Sequence, residues 1–391
     1  MTVDAVLTRL TEDRILDLQI RFAETPSPTF HEQRRAELIA SLWRAAGLDP
    51  QIDNAGNVVA LRPGAADGPL LVVSAHLDTV FPMDQDVRVR RPGETCDFCG
   101  EVVPEGEYHG PGIGDCAAGL AAVTGLAEAL HSASAATSAS LLFVATVGEE
   151  GAGDLRGVRA LFTGEWASRI GAFVTVDVGT PGAIIHETTA SRRFRVTFHG
   201  PGGHAWHDFG AFNPIHAAAG AVARIAAFDV SAEPRTTFNV GVIEGGRAVN
   251  AIPEEARFEL DMRSVSPSRL DLLATHASES IAAAHAELNA RTRGEGTFAI
   301  ETIGERPGGS IPRDTPLVQA AVAALAADGL KARFGVGSLD ANIPIALGIP
   351  AIGFAWGGAS RRAHSARESY RSAGRIEHVR ALARLATDFR P

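Results

Sequence analysis

Two histidines and five carboxylates in this 391-residue chain stand at the ends of apolar runs or in glycine-rich loops. His76 and Asp78 lie in LLVVSAHLDTV, Asp115 in HGPGIGDCAAGLAA, and Glu149 and Glu150 in VATVGEEGAGDLRG. Asp177 lies in FVTVDVGTPG and His364 in RRAHSARESY. Alone, each has a plain structural reading: a polar strand end, a helix N-cap for Asp115, a solvated tip for the glutamates. In a strand, residues i and i+2 share a face, so His76 and Asp78 present an imidazole and a carboxylate together. A carboxylate in that place commonly fixes the tautomer of a ligating histidine. Adjacent carboxylates at the end of a buried strand repel each other; one as a ligand and the other as a base would account for both. Taken together, the set resembles what two divalent ions need when they share a bridging carboxylate and a water, with one carboxylate to spare.

The elements that must position these groups follow from the hydrophobic pattern. Residues 11–47 read as helix with a turn at TPSPTFHE, 56–61 and 70–75 as strands, and 117–131 as a buried helix. Strands at 140–148 and 170–178 flank a helix at 155–163, the alternation of a mostly parallel sheet with helices on both faces. The candidate residues then fall at the carboxyl ends of strands, where open α/β sheets bind ligands. From RRFRVTFHG onward the order becomes strand, helix, two strands, helix, strand, that of a ferredoxin-like unit. The α/β pattern resumes after ERPGGSIP, with a helix at 315–328, strands near 332–335 and 350–354 and a helix at 375–388. The expected organisation is an α/β catalytic, metal-binding domain of residues 1–188 and 306–391, interrupted by an α+β lid or dimerisation domain of residues 189–305.

Composition narrows the partners. The chain is 45% hydrophobic and 21% charged with 41 glycines, ordinary globular material rich in turns. A net charge of −10 without a Lys/Arg block argues against nucleic acid and anionic membranes. The N-terminus lacks the apolar core of a signal peptide, and no apolar run approaches the ~18 residues of a membrane span. Three cysteines fit a reducing compartment, so the expected location is cytoplasmic.

The motifs SAHLDTV, GPGIGDCAAG, GEEG, GPGGHAW, SLDAN and AHS occur in the order found in a known family. The chain resembles the dinuclear-zinc metallopeptidases and amidohydrolases that include aminoacylase, carboxypeptidase G, succinyl-diaminopimelate desuccinylase and the peptidase T-like tripeptide aminopeptidases. The resemblance covers nearly the whole chain and includes the inserted domain. It implies hydrolysis of a C–N bond by a water bridging two divalent ions, zinc foremost, with manganese or cobalt as alternatives. It implies that Asp115 bridges both ions, that His76 and Asp177 serve different ions, and that Glu150 serves one ion and His364 the other. Glu149 would be the general base, and Asp78, the second catalytic carboxylate, would orient His76. His204 in GPGGHAWHDFG would reach across a homodimer interface to the substrate carbonyl. Asn250 and Arg263 would contact a substrate carboxylate, and Asn342 and Gly358 would line the pocket.

Some features depart from the pattern. Cys116 follows the bridging Asp where the family often has a basic or amide residue, which reads either as pocket shape alone or as the mark of an unusual substrate. CDFCG supplies Cys96 and Cys99 but no second thiol pair, so it reads as a loop rather than a structural zinc site. His199, His207 and His216 near His204 read as structural, and Arg192 and Arg193 as strand-end charges or receivers of an anionic group. The substrate stays open at this level: a short peptide, an N-acyl amino acid, or an aromatic or other small amine for an aminohydrolase. A non-catalytic relative would be expected to have lost a ligand, and none is missing.

Overall fold

The computed structural model describes residues 3–97, 100–230 and 232–391. The chain forms two compact units, Met1–Thr188 with Ser310–Pro391, and Thr189–Gly309.

The first unit is built on a nine-stranded sheet. At its centre Leu141–Thr146, Leu70–His76, Ile170–Val178 and Ala351–Ala355 run parallel. Every residue of Leu70–His76 and of Leu141–Thr146 is buried. That explains why these segments read as unbroken apolar runs: both faces are covered. Antiparallel strands extend the sheet at Val58–Arg62 and Gln51–Ile52 on one side. On the other, Ala183–Thr188 pairs antiparallel with Ala351–Ala355 and parallel with Arg333–Gly337. Helix Ala117–Ser132 packs on the central strands and is itself almost wholly buried. Gly119 lets it approach: a Cβ there would lie 2.1 Å from the Val176 carbonyl oxygen. Such contact between helix and strand brings the helix N-terminus, and the loop before it, to the carboxyl ends of the strands.

The second unit contains strands Ala190–His199, Thr236–Gly245, Glu255–Ser264 and Thr297–Arg306 with helices Pro214–Ala226 and Pro267–Asn289. Its antiparallel sheet has Glu255–Ser264 and Ala190–His199 inside and the other two strands at the edges. Along Glu255–Ser264 burial alternates, turning Ala256, Phe258, Leu260 and Met262 inward. These pack with Phe194, Val196 and Phe198 and with helix residues such as Ala221, Ile225, Ala277 and Ile281 into a separate core. Each large apolar side chain buried there contributes about 1.5–3 kcal/mol. Asn213 starts the first helix, its side chain accepting from the N–H groups of Ile215 and His216, with Pro214 in the first turn. Among the described residues no helix is long and apolar enough to cross a membrane.

The elements agree closely with the hydrophobic pattern. Elements not foreseen include strand Ala183–Thr188, the short helix Asn342–Ala346, a small sheet of Glu107–His109, Ser369–Arg371 and Ala359–Arg361, and the short pair Gly203–His204 with Ala251–Ile252.

Candidate active site

Parallel pairing decides which residues meet. Leu70–His76 lies between Leu141–Thr146 and Ile170–Val178, so the strand ends carry His76 and Asp78, Glu149 and Glu150, and Asp177 to one edge of the sheet. His76 Nε2 lies 3.2 Å from Asp115 Oδ1 and 3.5 Å from Asp177 Oδ1. His364 Nε2 lies 2.8 Å from Asp115 Oδ2 and 2.9 Å from Glu150 Oε1. The result is two trios, His76–Asp115–Asp177 and Asp115–Glu150–His364, each using a different oxygen of Asp115. His76, Glu149 and Glu150 form a third convergent group.

This grouping corrects one expectation. His76 and Asp177 stand together because their strands are neighbours, and Glu150 stands with His364. They are pairs within a trio, not members of opposite trios. Asp78 Oδ1 faces His76 Nδ1 at 3.6 Å, an ion-pair distance longer than a hydrogen bond. Asp78 also accepts the main-chain N–H groups of Glu149 at 2.9 Å and Glu150 at 3.0 Å, and the Thr29 hydroxyl at 2.8 Å. It fixes the backbone that carries both glutamates. Glu149 and Glu150 are buried, so neither belongs to a solvated tip.

Electrostatics show a pocket with surplus negative charge. Burial works to lower the His76 imidazole, but the charge of Asp177 and the contact with Asp115 outweigh it and hold it well above its ordinary value. Asp115 and Glu150 push His364 up to about 11. Burial works to raise Asp115, yet the two histidines hold it far below the usual carboxylate range. Asp177 is raised, chiefly by burial. Two imidazoles are thus kept cationic by the acids around them, and a divalent ion can replace those protons. The donors are imidazole nitrogens and carboxylate oxygens, a set suited to zinc, manganese or cobalt. Bonds of about 2.1 Å in a tetrahedral shell put donor atoms roughly 3.4 Å apart; the 3.2 and 3.5 Å separations at His76 match that spacing, and those at His364, 2.8 and 2.9 Å, are shorter.

Asp115 does not cap the following helix. Cys116 is the N-cap residue, with φ 35° and ψ −55°, and its N–H donates to Asp115 Oδ1 at 2.7 Å. That backbone turn sends the Cys116 thiol into the core, 1% exposed, where Arg35 Nη1 donates to it at 3.0 Å. Burial pushes the thiol up to about 12. Cys116 therefore packs against the site's support and does not shape a pocket. Arg35 is itself buried and donates to the carbonyls of Thr25 and Leu77, clamping the residue between His76 and Asp78. Glu368 is fully buried and accepts from Gly112, Gly114 and Asp115. Burial and the charge of Asp115 push it up to about 7. Neither Arg35 nor Glu368 was singled out from the sequence: Arg35 reads as one more charge in EQRRAEL, and Glu368 follows His364 in a segment with no helical period.

The remaining expected residues belong to neither trio. Asn342 is fully buried, and its Oδ1 accepts Leu339 N–H at 2.9 Å, which shapes the turn before its helix. Gly358 has φ +73°, and a Cβ there would fall 2.3 Å from Tyr370 Oη, so the position is closely packed. In the second unit His204 ends the exposed two-residue strand Gly203–His204, paired antiparallel with Ala251–Ile252, and the turn after it is held by His204 N–H to Asp208 and by Ala205 N–H to the Asn250 carbonyl. Trp206 N–H donates to His204 Nδ1 at 3.2 Å, and the His207 ring lies 4.8 Å away. Arg263 Nε donates to Asp261 Oδ2 at 2.7 Å, and Arg193 Nε to Asp261 Oδ1 at 2.9 Å. Arg192 is engaged by Glu305 and Asp271. His199 faces Glu255, and the His216 main chain is part of the Asn213 cap. Cys96 is buried, and Cys99 lies outside the described residues.

The model of peptidase family M20/M25/M40 matches residues 72–388. The chain belongs to this family. It is a metal-dependent hydrolase of amide or peptide bonds. It is 25% identical over 363 residues to YqjE of Bacillus subtilis (strain 168), covering 89% of this chain and 91% of that protein. It is 31% identical over 264 residues to the succinyl-diaminopimelate desuccinylase of Methylobacterium nodulans, covering 61% of this chain and 63% of that enzyme. Its fold is shared with a tripeptidase from Staphylococcus aureus at a TM-score of 0.78 and 22% identity, over 97% of this chain and 98% of that one. The YxeP protein of Bacillus subtilis, a dinuclear metal-binding peptidase, superimposes at a TM-score of 0.69 and 16% identity, over 96% of this chain and 97% of that one.

Proposed function

We propose that the chain hydrolyses the amide bond of an N-acyl amino acid or short peptide that carries a free carboxylate, with Glu149 as general base. The observation that carries this reading is the pair of trios sharing Asp115, with Glu149 outside both and adjacent to them. His76, Asp115 and Asp177 would hold one ion and Asp115, Glu150 and His364 the other. Bound there, the ions would supply Lewis acidity toward the scissile carbonyl and lower the pKa of the attacking water. Glu149 takes a proton from that water and passes it to the leaving nitrogen. Asp78 keeps the Glu149 main chain in place for both transfers. The names of two relatives, a desuccinylase and a tripeptidase, support the amide and peptide classes.

The second unit would act as lid and dimerisation surface. Because His204 Nδ1 accepts the Trp206 N–H, the neutral ring carries its proton on Nε2. From a second copy of the chain, that Nε2–H would donate to the oxyanion formed at the substrate carbonyl. The edge strand Thr236–Gly245 exposes Val242 and Ile243 and offers a sheet edge for the same association. Arg263 keeps unpaired guanidinium N–H groups for a substrate carboxylate, with Asn250 beside the His204 loop. The test is a panel of N-acyl amino acids, free-amine di- and tripeptides and aromatic amines given to zinc-, manganese- and cobalt-loaded protein. Turnover of N-acyl amino acids or peptides that disappears when the carboxylate is amidated supports the reading. Turnover of aromatic amines alone would contradict it.

A further inference from the structure

His364 is poorly placed to hold itself in position. Its side chain is about half exposed, and its backbone has φ +63°, in the left-handed region that residues other than glycine adopt uncommonly. Arg362 nearby has φ +57°. A half-exposed loop ligand needs an anchor.

Glu368, four residues on, supplies one. Its Oε1 accepts the N–H groups of Gly114 at 2.8 Å and Asp115 at 2.9 Å, and its Oε2 accepts Gly112 N–H at 2.9 Å. The Gly110 N–H donates to its main-chain carbonyl at 3.0 Å. Among the described residues no basic side chain forms an ion pair with it. A buried carboxylate whose charge is met only by main-chain N–H groups is costly to keep. All three side-chain bonds go to the loop that ends in Asp115. Gly114 leaves room for this contact: a Cβ there would sit 3.0 Å from Glu368 Oε1 and 2.3 Å from Ser360 Oγ. One carboxylate thus ties the segment that carries His364 to the loop that carries Asp115, the two ligands whose atoms meet at 2.8 Å.

We propose that Glu368 is a positioning residue that makes Asp115 and His364 a single unit, so that the ion held by Asp115, Glu150 and His364 depends on it more than the ion held by His76, Asp115 and Asp177. This rests on the two-ion reading above. Residues outside the ligand shell that orient ligands typically change metal affinity about 10–100-fold when replaced.

The experiment is a cobalt titration of the full-length, metal-free protein, read by visible absorption and by competition with a chelator. Wild type should bind two equivalents. Glu368→Gln keeps the shape but sets an amide NH2 against main-chain N–H groups; it should bind one equivalent near normally and the second about 10–100-fold more weakly. Glu368→Asp, which keeps the charge, should recover part of the lost affinity. A purely structural Glu368 would lower the melting temperature of the metal-free variant and leave both affinities unchanged; that result overturns the inference. If Glu368→Gln does not fold, Gly114→Ala presses on the same contact and should weaken the second equivalent selectively, and two unaltered equivalents would again overturn it. Wild type binding a single equivalent would contradict the two-ion reading itself, a failure distinct from that of the Glu368 role.

Discussion

Replacing Asp78 by Asn should damage the site by a route the geometry makes explicit. Asp78 is fully buried, and its two oxygens together serve three donors: Glu149 N–H on Oδ1, and Glu150 N–H with the Thr29 hydroxyl on Oδ2. Asparagine has one acceptor oxygen. If that oxygen keeps the two donors on the Oδ2 side, the NH2 group faces the Glu149 N–H, donor against donor. An orphaned buried N–H costs about 1–3 kcal/mol, and the surviving bonds lose their charge assistance. The expected loss is therefore roughly 2–4 kcal/mol of stability, read by urea unfolding. Because the displaced group is the main chain of Glu149, misplacement on the scale of 1 Å would lower turnover about 10²-fold. Metal affinity should fall by no more than about 10–100-fold, so saturating metal should not restore the rate. The assay is kcat/KM at saturating metal beside the unfolding curve. A variant with turnover within threefold of wild type and an unchanged midpoint would refute the argument that Asp78 holds Glu149 in place.

Gly358→Ala should destabilise the first unit by about 2–4 kcal/mol, since a methyl group must displace the Tyr370 hydroxyl or the Arg371 carbonyl while the backbone stays left-handed; thermal melting checks it. His378 is held neutral: Nδ1–H donates to the Gly374 carbonyl at 2.7 Å, Nε2 accepts Gly182 N–H at 2.8 Å, and burial lowers its pKa. Its contribution is full above the unfolded imidazole value of about 6.5 and is lost as pH falls from there toward the folded value, because only the unfolded state takes up the proton. His378→Asn should therefore cost stability at pH 7.5 and cost less at pH 5.5, and a penalty independent of pH would refute this.

Much of the site was legible because it lies at strand ends. Apolar runs such as LLVVSAH and LLFVAT place His76 and the glutamates at one edge once the strands pair in parallel, and pairing of Leu70–His76 with Ile170–Val178 adds Asp177. What could not be read is the pairing of ligands into trios, since strand order is a tertiary fact. Nor could Glu107–His109 be matched with Ser369–Arg371, because three-residue strands far apart in sequence carry no period of their own. Cys116 misled by adjacency: proximity to Asp115 suggested the pocket, and a positive φ turned the thiol to the core. Arg35 and Glu368 look like surface charges in sequence, and only their burial and their main-chain partners reveal that they brace the metal-site loops.

The central claim is that Glu149 moves the proton while the two trios hold the ions. The direct measurement is metal content and turnover of Glu149→Ala against wild type, after identical loading with zinc and removal of the excess. The account predicts two ions per chain in both proteins and a fall in kcat of about 10²–10⁴-fold in the variant. Loss of an ion with the glutamate would make Glu149 a ligand, and turnover near that of wild type would remove it from the chemistry; either result contradicts the account.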